Sequence, residues 1–212
     1  MLTSYLPLAG IILLVLIGLI VRPLIQLSRY GTSGILLFRG GPGHKKRDAV
    51  LVLVLTGLIA HAIGGPRGHF LTRLLVPEGS SLHEILHLAG ACLIIGGTAL
   101  FVAAQLNLGA SWRVGIDPLA APGIVSSGLY RLSRHPIYVG FLTVFTGYAA
   151  MLPTPLSLGL LAAGFALFRA QADAEEAYML RANGEPYRAY AARVGRFLPG
   201  IGKGTRVNAS AT

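Results

Sequence analysis

Charge is scarce in this sequence: Asp, Glu, Lys and Arg make up 12% of its 212 residues, about half the share usual in a soluble domain. Acidic residues are scarcer still, 8 against 18 Lys plus Arg, giving a net charge of +10. The one cysteine, Cys92, excludes an intramolecular disulfide and the thiolate quartet of a structural zinc site. Its place inside an apolar run reads as a small buried hydrophobe. No internal repeat and no low-complexity tract interrupts the chain. What is abundant is apolar: 53% of residues are hydrophobic and the mean hydropathy is +0.65. That composition argues against a soluble enzyme and for an integral membrane protein. The basic residues punctuate apolar runs and do not spread over a polar face interleaved with aromatics, so no nucleic-acid partner is expected.

A membrane helix needs roughly 20 mostly apolar residues to cross about 30 Å of hydrocarbon. Four uncharged stretches qualify: Met1 to Val21, Ala49 to Pro66, Ile85 to Trp112 and Pro136 to Phe168. The first has no basic run ahead of it and is followed by Val21-Arg22-Pro23, not by a small-residue cleavage site, so it reads as a retained span. The last is too long for one crossing, and Pro153-Thr154-Pro155 interrupts it, because an internal proline removes a helical hydrogen bond and clashes with the preceding turn. Two short helices joined by a tight turn are predicted there, which makes about five transmembrane helices in an all-α integral membrane protein. Sixteen of the Lys and Arg fall in the first gap, the third gap and the C-terminal tail; only Arg67 and Arg73 fall in the second gap. Basic residues collect on the cytoplasmic side. This bias predicts an external N-terminus, with the third gap and the C-terminus in the cytoplasm. Residues 22–48 are expected to form a basic cytoplasmic loop, and within it the run Gly40-Gly41-Pro42-Gly43-His44-Lys45-Lys46 lacks the spacing of a phosphate-binding loop and reads as a flexible segment whose basic end meets anionic membrane lipids.

Two groups of residues have the composition for chemistry. His83-Glu84-x-x-His87 matches the helical pattern in which two imidazoles hold zinc and the glutamate activates water. A catalytic zinc needs a third ligand, and no acidic residue stands in a motif for that role. An interfacial helix cap with packing histidines is therefore preferred, and no metal is expected. The second group lies on the side expected to be cytoplasmic. Arg134 and His135 precede Pro136 at a helix start, where free amides and the positive dipole end favour an anion. Glu175 and Glu176 return to the same side after the hairpin. One pocket could then offer receptors of both charges to a zwitterionic amino-acid moiety. The alternative is a set of juxtamembrane charges that bind lipid headgroups and one another.

The pattern Gly128-x-Tyr130, Arg134-His135-Pro136-x-Tyr138-x-Gly140, then Glu175-Glu176 and Gly184-Glu185-x-Tyr187-x-x-Tyr190 resembles the isoprenylcysteine carboxyl methyltransferase family. It is similar also to the phospholipid N-methyltransferases. The gap of 41 residues from Arg134 to Glu175 fits. The resemblance covers Asn107 to Pro199. Membrane helices 1–3 are expected over 1–106, which match only as generic spans; the resemblance implies a methyltransferase-like region over 107–199 with its hairpin at 136–168 and an amphipathic tail, and a flexible end is expected over 200–212. The resemblance also implies a cytoplasmic pocket for S-adenosylmethionine, roofed by the C-terminal helical tail, with a lipophilic small molecule or lipid as acceptor. Ile124 and Val125 would line the adenosine site and Tyr130 would contact the cofactor. His135, Pro136, Ile137 and Tyr138 would hold the methionine end, and Glu175, with Glu176 beside it, would bind the ammonium. Pro122-Gly123 stands where the eukaryotic pattern has His-Thr, and Gln171 where an arginine often meets the acceptor carboxylate. Arg169, with Arg134, is the candidate replacement for that catalytic clamp. Related-fold sterol reductases using NADPH, a zinc protease and a non-enzymatic lipid-binding scaffold are the competing readings.

Overall fold

The computed structural model describes residues 5–39, 41–65, 70–115 and 123–204. Seven α-helices account for most of them, and the only β pairing among the described residues is two isolated bridges, Ile35 with Val114 and Ser133 with Gly195. Helix α1 (Leu6–Leu16) passes through a π-helical turn at Ile17–Val21 into α2 (Arg22–Tyr30), which ends at Gly31 in the left-handed conformation (φ 74°). Then follow α3 (Pro42–Gly64), α4 (Ser81–Leu108), α5 (Pro136–Met151), α6 (Pro155–Asn183) and α7 (Glu185–Arg193). Short 3₁₀ turns at Gly109–Ser111 and Gly128–Arg131 lie in the connection between α4 and α5. Four helical stretches are long and apolar enough to cross a membrane: Leu6–Tyr30, Pro42–Gly64, Ser81–Ser111 and Pro155–Asn183. With no strand among the described residues, this is an all-α membrane protein.

Several expectations change. The basic segment 22–48 is largely helical: Arg22–Tyr30 prolongs the first span, and the second begins at Pro42, with Gly41 as its N-cap. The hairpin arms are unequal. Proline does end α5, but α6 runs 29 residues, well past Phe168, because Ala, Gln, Glu and Arg after the apolar run are good helix formers. Helix α5 has 16 residues, about 24 Å, short of a full hydrocarbon crossing. Cys92 is exposed on α4 and not buried. The described part of the C-terminal end is tied down, with Gly204 N–H donating to Ala191 O at 2.9 Å. Residues 205–212 of that expected tail, with Met1 to Ser4, Gly40, 66–69 and 116–122, lie outside the described residues.

The core is apolar and sits where α1, α3, α4, α5 and α6 meet, around Ile11, Leu58, Ile94, Phe101, Phe145 and Tyr148. Large apolar side chains such as Leu53, Ile63, Leu88, Ile95 and Phe165 point outward, as a bilayer solvent permits. Helices α4 and α5 approach closest because glycines face each other: a Cβ on Gly90 would lie 2.6 Å from Gly147 O, and one on Gly140 2.9 Å from Phe101 Cα. Such small-residue seams are how membrane helices gain dispersion contact when lipid is as apolar as the side chains. At the far end of the hairpin the polar groups pair among themselves. His61 Nδ1 is 2.9 Å from the Tyr148 hydroxyl, and Thr154 caps α6 in a capping box with Ser157.

Candidate active site

A cavity of about 290 Å³ opens among α1, α3, α4, α5, α6 and α7. One half is apolar, walled by Leu14, Leu51, Leu55, Phe101 and Phe141. The other half is polar and aromatic, with Tyr130, His135, Tyr138, Gln171, Glu175, Tyr187 and Tyr190. The two halves follow from chain position. The apolar wall comes from span interiors, and the polar wall from the ends of α5 and α6 together with the tail.

At the start of α5, Pro136 occupies the first helical turn and His135 its N-cap. The His135 ring stacks on Tyr138, with centroids 5.4 Å apart and planes 7° apart, and Tyr138 stacks in turn on Phe168 at 4.9 Å. This aromatic ladder fixes the imidazole between two carboxylates: Nε2 is 3.1 Å from Glu176 Oε1 and Nδ1 is 3.5 Å from Glu175 Oε2. Burial alone lowers the His135 pKa, but the carboxylates on both nitrogens overcome this and hold it above its usual value. Tyr138 donates its hydroxyl proton to Glu175 Oε1, which also accepts from Gln171 Nε2 at 2.9 Å. Glu175 keeps 28% of its side-chain surface exposed and lines the cavity. A carboxylate has about four acceptor sites, so one stays open toward the cavity.

Of the residues expected to bind cofactor, Ile124, Val125, Tyr130, His135, Ile137, Tyr138 and Glu175 all line this one cavity. Glu176 does not. It stands behind the wall, accepting from Arg134 Nε at 3.0 Å and from Arg196 Nη2 at 2.7 Å. Pro136 is buried as a helix start and is also absent from the lining. Arg134 does line the cavity, but it is only 6% exposed and its guanidinium is already engaged, so the expected anion receptor is not open. Besides Glu176, it donates to Ala191 O (2.9 Å), Val194 O (2.7 Å) and Gly202 O (3.0 Å). The cations and carboxylates expected to face a ligand separately in fact neutralise one another, closer to the alternative reading of the sequence. Their joint effect is to hold the tail: Arg134 N–H and His135 N–H donate to Gly195 O and Arg196 O. Tyr190 reaches Tyr130 O at 2.7 Å, and burial pushes its own pKa up to about 12.

Arg169 is exposed on α6 and outside the cavity. Two residues along a helix is a rotation of about 200°, so a side chain at 169 faces away from one at 171. The cation that does reach Gln171 comes from the basic loop, one residue past the run expected to meet lipid. Arg47, from α3, donates from Nε to Gln171 Oε1 at 2.7 Å, and its Nη2 lies 3.0 Å from His44 Nδ1. Its Nη1 has no hydrogen-bond partner among the described residues. No local signal in the run Lys45-Lys46-Arg47 marks the third residue, since its partner is 124 residues away. Elsewhere, Ser80 caps α4 as expected, accepting from His83 N–H at 3.2 Å. His83 and His87 rings are 6.0 Å apart, and no group of three or more metal-ligating side chains forms among the described residues.

Comparison with known proteins agrees with this geometry. The family model for phospholipid methyltransferase matches residues 85–185, from within α4 to the start of α7. With the membrane fold and the cavity beside Glu175, this makes the chain an integral-membrane methyltransferase. It is 33% identical over 133 residues to protein-S-isoprenylcysteine O-methyltransferase A of Arabidopsis thaliana, covering 61% of this chain and 68% of that protein. The chain belongs to the protein-S-isoprenylcysteine O-methyltransferase family. It is also 30% identical over 126 residues to the human protein-S-isoprenylcysteine O-methyltransferase, spanning 58% of this chain and 44% of that protein. A methanethiol S-methyltransferase of Pseudomonas sp. (strain GM41(2012)) is 35% identical over 89 residues, 42% of this chain and 33% of that protein. None of these relatives is a reductase or a protease, so those readings find no support.

Proposed function

We propose that this membrane methyltransferase uses S-adenosylmethionine and methylates an anionic group on a lipophilic acceptor, in a cavity on the cytoplasmic side of a five-span bundle with an external N-terminus. One observation carries the reading: a single cavity joins an apolar half between α1, α3 and α4 to a polar half holding Glu175 with an open acceptor site. The polar half fits a cationic amino-acid moiety: of the two carboxylates in the lining, Asp48 accepts from Phe38 N–H, while Glu175 stands with the Tyr130, Tyr138 and Tyr190 rings, and aromatic faces attract onium groups. When bound, S-adenosylmethionine supplies an electrophilic methyl group on sulfur. The chain's own part is to bind, orient and exclude water, and orientation alone is able to lower a barrier by about 7–11 kcal/mol.

Glu175 is the proposed ammonium receptor, while Ile124, Val125 and Tyr130 form the wall for the adenosine. Arg47 is the proposed acceptor clamp, in place of Arg169 and Arg134. Its guanidinium is joined to Glu175 through the Gln171 amide, so the two opposite charges stand one side chain apart. An anionic acceptor needs no base to remove a proton, which is consistent with His135 being held between carboxylates and not poised as one. Isothermal titration of the purified protein with S-adenosylmethionine tests the reading. Saturable heat is expected, lost in Glu175→Ala; no heat with the intact protein would overturn it.

A further inference from the structure

Beside Phe101 in the cavity wall stands a polar side chain whose oxygen has no partner among the described residues. Gln105, on the last turn but one of α4, is 2% exposed and lines the cavity, and its Oε1 has no hydrogen-bond partner among the described residues. Its neighbours across the gap are apolar. A Cβ placed on Gly18 would lie 3.3 Å from Phe101 Cζ and 4.0 Å from Gln105 Nε2. Gly18 belongs to the π-helical turn Ile17–Val21, and it too lines the cavity. π turns inside α-helices are frequent at functional sites, where the extra residue widens one face. Here the missing side chain lets Phe101 and the Nε2 side of the Gln105 amide pack close against the turn.

An amide buried without a partner costs free energy that an aliphatic side chain of the same size avoids. Among the described residues no hydrogen bond to Oε1 offsets this cost. We infer that Gln105 is a specificity-determining residue: its amide oxygen accepts a hydrogen bond from an N–H or O–H group carried by the lipophilic acceptor near its reacting end. The inference rests on the proposed use of this cavity by such an acceptor. It adds that the acceptor is not recognised by charge and hydrocarbon alone.

The test compares N-acetyl-S-farnesylcysteine with its N-methylated analogue, which lacks only the amide hydrogen, using the full chain in nanodiscs. For the native protein the N-methyl compound is expected to lose about tenfold in kcat/KM, mainly through KM. Gln105→Met is expected to bring the two within twofold, to leave the titrated S-adenosylmethionine affinity unchanged, and to raise the thermal midpoint. Equal use of both compounds by the native protein overturns the inference, as does a lower midpoint in Gln105→Met, which would show a structural role. If S-adenosylmethionine fails to bind, the proposed function falls first. If it binds and neither compound is methylated, the midpoint of Gln105→Met decides.

Discussion

Replacing Arg134 by alanine separates two roles that the same residue could hold, and the structure favours one of them. The guanidinium makes four hydrogen bonds, to Glu176 Oε1 and to the carbonyls of Ala191, Val194 and Gly202, at 2.7–3.0 Å. Hydrogen bonds to a charged group contribute about 1.5–3 kcal/mol each, but they share one cation and are not additive. Breaking a buried ion pair from one side costs about 3–5 kcal/mol, which is the better guide to the total. Glu176 keeps His135 and Arg196 as partners, so the lower part of that range applies. A loss of about 3 kcal/mol confined to the tail raises the population of its detached form by roughly 150-fold. Because Tyr187 and Tyr190 wall the cavity, donor affinity falls with it. Hydrogen exchange of the amides in α7 and in residues 194–204 is the assay. Arg134→Ala should accelerate exchange there and leave α4 and α5 protected, while Arg134→Lys, which lacks the planar fork, should fall between. If Arg134→Ala abolished turnover with tail exchange unchanged, the residue would act on substrate directly, and its role as the fastener of the tail would be refuted.

Arg47→Ala should raise the acceptor KM at least tenfold with the donor affinity kept, whereas Arg169→Ala should stay within twofold of native kinetics; the reverse ranking would return the clamp to α6. His135 gives a pH dependence of known sign. Its folded pKa lies above the ordinary value near 6.5, so its stabilisation is complete below about pH 6.5 and is lost as pH rises through the folded value. The thermal midpoint should therefore fall on the alkaline side, and His135→Gln should flatten that fall; an unchanged slope in the variant would assign the effect elsewhere. Gly147→Val places a side chain 2.6 Å from Gly90 O, where only backbone can yield, so it should lower folded yield in detergent severely. By contrast Gly159→Val on α6, with open space at its Cβ, should be tolerated; equal loss in both would remove the seam as the cause.

The sequence patterns that proved legible are those written locally. The four apolar runs and the break at Pro153-Pro155 appear as helices and a turn, since composition and proline sterics act within a few residues. The Gly128-Tyr130, Arg134-Tyr138 and Glu175 motifs do meet in one cavity. What could not be read is which members face it. Glu175 and Glu176 are neighbours in sequence but about 100° apart around α6, so one lines the cavity and the other holds the tail. The 29-residue length of α6 was hidden because charges after Phe168 end the hydropathic signal without ending the helix. Arg47 and Gln105 were invisible for a different reason. Each takes its meaning from a space made by six helices, and neither belongs to a pattern of its own.

The shortness of α5 bears on how two unlike molecules could meet. With about 24 Å of helix against about 30 Å of hydrocarbon, α5 falls short of a full crossing, and on the proposed use of the cavity the shortfall lies at its first turn. A water-soluble methyl donor then descends only a few ångströms, and an oily acceptor rises little, so neither changes phase completely. On the proposed function, methylation of the anionic acceptor would remove its charge and its attraction to Arg47 at the same moment. The neutral product would partition sideways into the bilayer, and release would be driven by the same solvent that delivered the acceptor.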